Sequence, residues 1–484
     1  MIRCFACVAL VGLTTTLSVC QAPSGAIDQR SDDLIARIAG HATTGGGALD
    51  FLETLTDTIG PRMTGSAQSR AASELILKTL RTAGFDNAHF EEYTFQPRWQ
   101  RGDAIAGITS PANFALTVGS YAWVPGTSGR IEAPVADLGS PGSSDSPISA
   151  EKIRGAAVLV DVHAVGTEPL QVMRARVAQQ LARVGAAAML IPSDKPDRMV
   201  YTSAWGFYPR GPLPVLSIAK EDALLLRRLL TKGPVRISLD VRNSFDSAAA
   251  TERNVIADLV GTQPNEMVLV GGHFDSWDFA QGADDNGSGV AAIVEAARIL
   301  KSSGVKPRCT IRFIFFSGEE QANLGSRAYV KQHQSELDRV RAFLMMDEGA
   351  QAPLGFRTQG RADLVAPLEK LLQPLAALRA NHAFNEWDLE SDNASFMTAG
   401  VPAFTLKVEP GDYDARHHAV TDTFDRVDPR LLALDTAVIA TAACLIANAE
   451  QPLGRRLSLA EVREFLKKTG LERAQETQFG PLEP

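Results

Sequence analysis

The spacing of apolar residues predicts two helices and a strand in the amino-terminal part of the chain. Apolar positions recur at helical spacing over residues 48–59 and 67–83, and glycine follows each run. Residues 89–93 alternate as a half-buried strand does. This part therefore starts as two helices that lead into a strand.

From residue 254 onward, short apolar runs alternate with longer amphipathic segments. Strands are predicted at 267–271, 310–316, 342–346 and 403–408, and helices at 287–302 and 428–450. Near-continuous apolar strands that alternate with helices are typical of a mainly parallel sheet with helices on both faces. We therefore predict an α/β fold with a mainly parallel, mixed sheet.

Residues 105–245 have a different sequence pattern, in which short apolar runs are separated by Gly, Pro and Ser. Strands are predicted at 156–162, 187–191 and 214–218, with helices at 170–184 and 221–230. No cluster of acids, histidines or cysteines occurs here, so we interpret this region as an inserted α/β scaffold apart from the reaction centre. The predicted parts are a leader (1–26), the start of the main domain (27–104), the insertion (105–248), the catalytic domain (249–452) and a helical tail (453–484).

The first residues indicate export. Arg3 precedes a compact apolar run over residues 4–13, which is too short to span a bilayer and is typical of a cleaved signal peptide. Cleavage near Ala22 or Ala26 is expected, and Cys20 in a lipobox-like stretch leaves a lipid anchor open. We therefore predict a periplasmic or secreted protein. Cys309 and Cys444 remain outside the leader and are predicted to be buried thiols, with a disulfide as the alternative.

The amino-acid composition limits the classes of binding partner. The 484 residues are 45% hydrophobic and 21% charged, with a net charge of −8 and no long run of one sign. Nucleic acids and anionic membranes need a concentrated basic surface, so both are excluded as main partners. The apolar segment 431–449 carries Asp435 and amphipathic spacing, which favours a core helix over a transmembrane segment.

Ionisable side chains follow each predicted strand of the catalytic domain. They are His273 and Asp275, the loop acids Asp284 and Asp285, Glu319 and Glu320, Asp347 and Glu348, and His417 and His418. Functional residues of such sheets gather beyond the carboxyl ends of the strands. So many carboxylates in one crevice would repel one another unless divalent cations neutralised them. Histidine and carboxylate ligands without cysteine suit catalytic zinc.

This ordered set resembles the co-catalytic zinc exopeptidases of the bacterial leucyl aminopeptidase and glutamate carboxypeptidase group. The resemblance implies two zinc ions and a peptide substrate. It implies that His273 and Asp347 bind the first ion, that Asp285 bridges, and that Glu320 and His418 bind the second. Glu319 would be the general base, and Asp275 would orient His273. The motif Gly60-Pro61-Arg62 is also shared, and the insertion resembles a protease-associated domain.

Several points stay open at this stage. A one-residue slip would make Asp284 the bridge, and His417 stands where related aminopeptidases often carry tyrosine. His417 or Tyr413 is expected to assist the oxyanion, whereas Glu348 is expected to have no direct role and His333 and His382 to lie on the surface. Recognition of a terminal carboxylate would need Arg361, Lys407 or Arg416. A homodimer is also left open, as are an aminoacylase, a glutaminyl cyclotransferase and a non-catalytic binding protein on the same fold.

Overall fold

A computed structural model of the chain describes residues 29–95, 98–141, 148–162, 170–206, 210–246, 248, 250–387, 389–480 and 482. The predicted leader, with Cys20 and both expected cleavage positions, lies outside these residues.

The described strands form two large sheets and one two-stranded ribbon. They are β1 (His89–Phe95), β2 (Arg98–Gln100), β3 (Ala104–Ser110), β4 (Phe114–Leu116), β5 (Val118–Ser120), β6 (Ile131–Gly139), β7 (Ala157–Val160), β8 (Ala188–Pro192), β9 (Val215–Ile218), β10 (Arg236–Val241), β11 (Ser244–Asp246), β12 (Ala250–Leu259), β13 (Gln263–His273), β14 (Cys309–Phe316), β15 (Val340–Met345), β16 (Pro353–Arg357), β17 (His382–Phe384) and β18 (Ala403–Val408).

The described α-helices cover the sheets and form the tail. They are α1 (Gln29–Gly45), α2 (Gly47–Glu53), α3 (Ala67–Thr82), α4 (Ala150–Ile153), α5 (Leu170–Arg183), α6 (Lys220–Leu230), α7 (Gly289–Ser302), α8 (Leu324–Gln332), α9 (Ala362–Leu371), α10 (Asn393–Thr398), α11 (Tyr413–Arg416), α12 (Pro429–Asn448), α13 (Leu459–Thr469) and α14 (Glu472–Phe479). Ser458 and Glu461 form a capping box at the start of α13, in the tail that was predicted to be helical.

The first sheet has the order β1-β12-β14-β13-β15-β18-β16-β17. Its central strands β14, β13, β15 and β18 run parallel, whereas β1 and β12 pair antiparallel with their neighbours. Strand β16 pairs antiparallel with β18 and parallel with β17. The prediction of a mixed α/β fold is therefore confirmed. The pairing of His273 with Phe316 and of Gly271 with Met345 brings the carboxyl ends of three strands to one edge. Residues that follow these strands consequently meet in one crevice.

Alternation along β13 explains why helices cover both faces of this sheet. Val268 and Val270 pack into the same apolar cluster as residues of α7 and α12. Met267 and Leu269 face the opposite side, in a cluster with Tyr329 of α8 and Phe396 of α10. A strand buried on both faces has no polar side and reads as a continuous apolar run.

Residues 104–241 contain the second sheet, in the order β4-β3-β10-β6-β7-β8-β9-β5. The three strands predicted in this region correspond to β7, β8 and β9, which pair in parallel. The antiparallel strands β3, β4 and β10 were missed. Their half-exposed residues give no continuous apolar run, as the exposed Ile105 and Phe114 illustrate.

Two predicted helices differ from the structure where they approach the crevice. The helix expected at 48–59 is α-helical only to Glu53 and continues as a wider π-type turn over Thr54–Ile59. The helix expected from Gly287 begins at Gly289, because the preceding segment Ala283–Ser288 is irregular. Asp285 in that segment has φ −110° and ψ 97°, which is not helical. This departure turns its side chain toward the strand ends.

Helix α12 is long and apolar enough to cross a membrane by length and composition, but 72% of its most apolar 18-residue window is buried inside the protein. It packs against α1, α2 and α7. Asp435 lies in this apolar setting, and neither of its carboxylate oxygens has a hydrogen-bond partner. Burial, aided by the charge of Asp284, raises the pKa of Asp435 well above its usual range.

Asp435 is therefore expected to make stability fall as the pH rises. In the unfolded chain the Asp435 carboxyl group loses its proton at about pH 4, whereas in the folded protein it keeps the proton to a higher pH. Above that pH the free energy of unfolding drops by at most about 1.4 kcal/mol per pH unit until the folded-state pKa is reached. Asp435→Asn cannot ionise, so its melting temperature should exceed that of the native chain at about pH 7.5 and converge with it toward about pH 4. An equal difference at both pH values in thermal melts would contradict this assignment.

Candidate metal centre

The ionisable residues after the strands of the first sheet converge in one buried cluster. His273 is the last residue of β13, Glu319 and Glu320 follow β14, and Asp347 follows β15. His418 follows the short helix α11. These residues are spread over 145 positions of the sequence, yet the parallel pairing of the strands brings them to one edge of the sheet.

Asp285 lies between two histidines. Its Oδ1 is 3.4 Å from His273 Nε2, and its Oδ2 is 3.2 Å from His418 Nε2. His273 Nε2 is also 3.0 Å from Asp347 Oδ1, and His418 Nε2 is 3.2 Å from Glu320 Oε2. Each histidine thus shares Asp285 and has one further carboxylate of its own. This is the donor arrangement that a pair of bridged cations requires.

Burial dominates the electrostatics of this cluster. It raises the pKa of Glu319 well above its usual range, raises that of Asp347, and raises that of Glu320 to about 7. Burial also opposes ionisation of Asp285, but hydrogen bonds with His273 and His418 outweigh it and lower the Asp285 pKa well below the ordinary value. Burial would lower the pKa of both imidazoles, but neighbouring groups raise it. Asp347 and the other nearby carboxylates raise the pKa of His273, and Tyr201, followed by Glu320 and Asp285, raises that of His418. The cluster therefore concentrates negative charge that calls for cations.

The loop that carries Asp285 is held from three directions. Asp422 Oδ1 and Oδ2 accept hydrogen bonds from the amides of Asp284 and Asp285 at 2.6 and 3.2 Å. The buried Arg62 donates to the carbonyls of Phe274 and Gly282 at 2.7 Å each. Asn286 Nδ2 donates to the Met346 carbonyl at 2.8 Å. These contacts give the Gly60-Pro61-Arg62 motif a structural role at the site.

Asp284, the alternative bridge, points away from the histidines. Its carboxylate forms a buried ion pair with Arg416, and its Oδ1 accepts from the Ala350 amide at 3.4 Å. The two consecutive aspartates thus have different partners, and the geometry favours Asp285 as the carboxylate shared by the two histidines. Arg416 pairs with Asp284 and Asp412 and is not among the described residues that line the cleft.

Asp275 ties the first histidine to the glutamate loop. His273 Nδ1 lies 3.0 Å from the Asp275 carbonyl and 3.6 Å from its Oδ1. The Asp275 carboxylate also accepts from Thr64 Oγ1 at 2.7 Å and from the Glu319 amide at 3.2 Å. Ser391 donates to Asp347 Oδ2. The imidazole of His273 is therefore oriented mainly by a backbone carbonyl, with the Asp275 carboxylate close by.

His418 is contacted from the second sheet, which the sequence interpretation had kept apart from the reaction centre. The Tyr201 hydroxyl is 3.1 Å from His418 Nδ1, and the Thr202 amide donates to the His418 carbonyl at 2.9 Å. That part of the interpretation is wrong. The sequence could not indicate this contact, because Tyr201 stands in no recognisable motif and its partner His418 lies 217 positions away.

His417 and Tyr413 lie beside the cluster. The His417 ring stacks on Tyr413 with centroids 5.3 Å apart, and its Nε2 is 3.7 Å from Asp285 Oδ2. Burial, reinforced by the charge of His418, lowers the His417 pKa to about 3, so the ring is neutral at physiological pH. Burial raises the pKa of Tyr413 well above its usual range, which keeps its hydroxyl protonated. Both side chains are thus available as neutral hydrogen-bonding groups.

The candidate cations for a substrate carboxylate have other partners. Lys407 lines the cleft and pairs with Glu386, whereas Arg361 pairs with Asp363 and does not line it. Arg357 also lines the cleft, where it pairs with Glu348 and Glu386, and sequence reasoning missed it. Glu348, expected to have no direct role, thus belongs to the cleft wall.

Of the two histidines expected on the surface, only His382 is exposed. The expectation for His333 is wrong, because its ring stacks on Tyr329 with centroids 4.2 Å apart and lies between Glu91 and Glu336. Helix α8 packs onto the sheet and draws this residue partly into the interior.

The cluster opens into a cleft of about 1030 Å³. Beyond the proposed metal ligands and Glu319, five acids line it: Glu348, Glu386, Glu390, Glu409 and Asp414. Arg357 and Lys407 are the lysine and arginine side chains among its described lining residues. Trp123, Tyr201 and Ser203 form a wall from the second sheet. The cleft is therefore acidic and is bounded by both sheets.

Residues 254–443 match the model of peptidase family M28. This region is similar to the M28 peptidases. Carboxypeptidase Q of Xenopus laevis is 28% identical over 432 residues, which cover 87% of this chain and 90% of that protein. A Mycobacterium tuberculosis protein described as "Probable lipoprotein aminopeptidase LpqL" is 28% identical over 425 residues, covering 80% and 81% of the two chains.

The crystal structure of a peptidase M28 precursor from Shewanella amazonensis is similar to residues 254–443 and to the second sheet together. It superposes with a TM-score of 0.80 at 28% identity and covers 89% of this chain and 99% of that one. The match extends beyond residues 254–443, so the similarity includes the second sheet. These findings confirm the resemblance to the co-catalytic zinc exopeptidases that the ordered motif predicted.

Proposed function

We propose that this protein is an exported di-zinc exopeptidase that hydrolyses dipeptides or short peptides from a free amino terminus. The observation that carries this proposal is Asp285, whose two oxygens face two histidines that each have a further carboxylate. The M28 match and the peptidase relatives support the reaction class.

The residues present fit two zinc ions. The donors are imidazole nitrogens and carboxylate oxygens, which suit zinc in catalytic sites. Glu320 Oε1 is buried without a hydrogen-bond partner, although buried carboxylate oxygens are normally satisfied. His273, Asp347 and Asp285 would hold one ion, and His418, Glu320 and Asp285 the other. When bound, the two ions supply Lewis acidity, which makes water a nucleophile near neutral pH and polarises the scissile carbonyl.

Glu319 is the proposed general base. Its carboxylate lines the cleft and lies 4.0 Å from His273 Nε2, but it is not paired with either histidine at hydrogen-bond distance. Burial moves its pKa upward, which strengthens it as a proton acceptor. Glu319 would take a proton from the attacking water and return it to the leaving amine. Tyr413 or His417 would donate a hydrogen bond to the oxyanion.

The charge of the cleft supports a substrate with a free amino group. Its five additional acids outnumber Arg357 and Lys407, and both of these cations are already paired with glutamates. An ammonium group is attracted into such a cleft, whereas a terminal carboxylate is repelled.

Export is supported by the leader and by the relatives. Residues 1–26 have the pattern of a signal peptide, and one relative is described as a lipoprotein. Lipid attachment at Cys20 is proposed on the same grounds.

Metal removal and blocked substrates test the proposed function. Chelation is expected to lower kcat/KM on free dipeptides by at least about 10³-fold, because several kcal/mol of transition-state stabilisation are lost, and zinc at two equivalents should restore it. Blocking the amino terminus should abolish hydrolysis, whereas blocking the carboxyl terminus should be tolerated.

The alternatives give different results in the same assay. Hydrolysis of N-acyl amino acids alone would indicate an aminoacylase, and ring closure of amino-terminal glutamine without hydrolysis would indicate a cyclotransferase. A preparation that binds no zinc and hydrolyses none of these substrates would overturn the enzyme proposal in favour of a binding protein.

A further inference from the structure

The second sheet holds the side chain of one proposed zinc ligand. Tyr201 lies between β8 and β9, and its hydroxyl is 3.1 Å from His418 Nδ1. The two rings face each other with centroids 5.3 Å apart and planes inclined by 32°. The opposite nitrogen, Nε2, points at Asp285 and Glu320. Tyr201 therefore contacts the imidazole on the side away from the acids.

The adjoining residue holds the backbone of the same ligand. His418 has φ +58°, a left-handed conformation that is strained for a non-glycine residue and persists only where its surroundings impose it. The Thr202 amide donates to the His418 carbonyl at 2.9 Å. Two consecutive residues of the second sheet's loop thus fix the side chain and the main chain of His418.

The loop itself is rigidly attached. The Tyr201 amide donates to Ser217 Oγ of β9 at 3.2 Å, and Arg101 Nη2 donates to Thr202 Oγ1 at 3.0 Å. Arg101 also pairs with Asp278 at 2.7 Å, which lies in the loop after β13. This arginine links the second sheet to the loop that leads to Asp285. Tyr201 is therefore held at a fixed distance from the cluster.

The contact selects one tautomer of His418. A nitrogen that binds a metal must carry a lone pair, so metal on Nε2 requires the proton on Nδ1. Nδ1–H then donates to the phenol oxygen of Tyr201. Partners of this kind orient a ligating imidazole and raise its basicity, and their removal typically weakens metal binding about 10–100-fold. His273 differs, because its Nδ1 faces the carbonyl of Asp275 on its own side of the sheet.

We propose that Tyr201 is a positioning residue for the second zinc ion, acting through His418, so that the second sheet is part of the metal centre. This inference rests on the proposed di-zinc site. The two zinc ligands are then oriented by different parts of the protein. His273 is oriented by Asp275, within the domain of the first sheet, whereas His418 is oriented by Tyr201 from the second sheet.

Tyr201→Phe tests this assignment, with Tyr329→Phe as the matched control. Tyr329 is a buried tyrosine whose hydroxyl is 3.2 Å from Arg312 Nη1, and it is not among the described residues that line the cleft. Titration against a zinc chelator should show that Tyr201→Phe binds one of its two ions about 10–100-fold more weakly and the other as the native chain does. Tyr329→Phe should retain native affinity for both.

Cobalt substitution gives a second readout that a general loss of stability would not move. The visible absorption of one cobalt equivalent should change in Tyr201→Phe and stay native in Tyr329→Phe, at a temperature where melts show both variants folded. Native zinc affinities and a native cobalt spectrum in Tyr201→Phe would overturn the inference while leaving the proposed function standing. A native chain that binds no zinc would overturn both.

Discussion

Glu319→Gln is expected to lower kcat by about 10²–10⁴-fold without reducing zinc content, because general-base catalysis typically contributes that much. The amide keeps the shape of the side chain but cannot accept the proton of the attacking water. Glu319 is not within hydrogen-bond distance of His273 or His418, so its charge is not needed to hold either proposed zinc set. Steady-state rates on a carboxyl-blocked dipeptide, together with elemental analysis of the same samples, measure both quantities.

Glu320→Gln is the matched control at the adjacent position. Glu320 faces His418 at 3.2 Å, so this variant should lose zinc rather than only turnover. Full zinc content and strongly reduced turnover in both variants would show that neither glutamate is a ligand. Unchanged turnover in Glu319→Gln would refute the assignment of the base.

The second large effect concerns the bridge. Asp285→Asn is expected to lower zinc stoichiometry from two ions per chain and to reduce kcat/KM by at least about 10³-fold, or about 4 kcal/mol of transition-state stabilisation. The cause is that an amide offers one oxygen acceptor and no charge, whereas Asp285 uses both oxygens toward His273 and His418.

Asp284→Asn separates the bridge from its neighbour. Asp284 pairs with buried Arg416, so its loss should destabilise the fold by about 3–5 kcal/mol while leaving zinc stoichiometry at two. Thermal melts and metal analysis of the two variants should therefore give opposite patterns. If Asp284→Asn lost zinc and Asp285→Asn retained it, the register of the bridging loop would be wrong by one residue.

The cluster could be predicted because most of its ionisable residues follow directly after predicted strands. His273, Glu319, Glu320 and Asp347 each come within four residues of the end of a buried apolar strand. Parallel pairing then requires them to meet at one edge. The order of residue types along the chain carried the rest of the prediction, since Asp285 and His418 do not follow strands directly.

Contacts from distant segments could not be predicted. Arg62 reaches Phe274 and Gly282 across more than 200 positions, and Tyr201 reaches His418 across 217. The shared Gly60-Pro61-Arg62 motif marks Arg62 without indicating its partners, and no local pattern marks Tyr201, because the partners are backbone carbonyls and an imidazole edge rather than a motif. Asp422 follows the last two histidines in the sequence, but its hydrogen bonds with two backbone amides depend on the fold of the loop and could not be predicted.

The two cysteines beyond the leader, Cys309 and Cys444, are free thiols buried in the core of the first sheet. This confirms the prediction that they are not paired with each other. Beyond residues 1–26 the sequence has no other cysteine, so the described residues contain no disulfide. The described fold therefore forms without thiol oxidation. The chain after residue 26 can be produced in a reducing bacterial cytoplasm without a disulfide isomerase, and metal supply to the proposed zinc centre, rather than redox control, becomes the condition to manage during preparation.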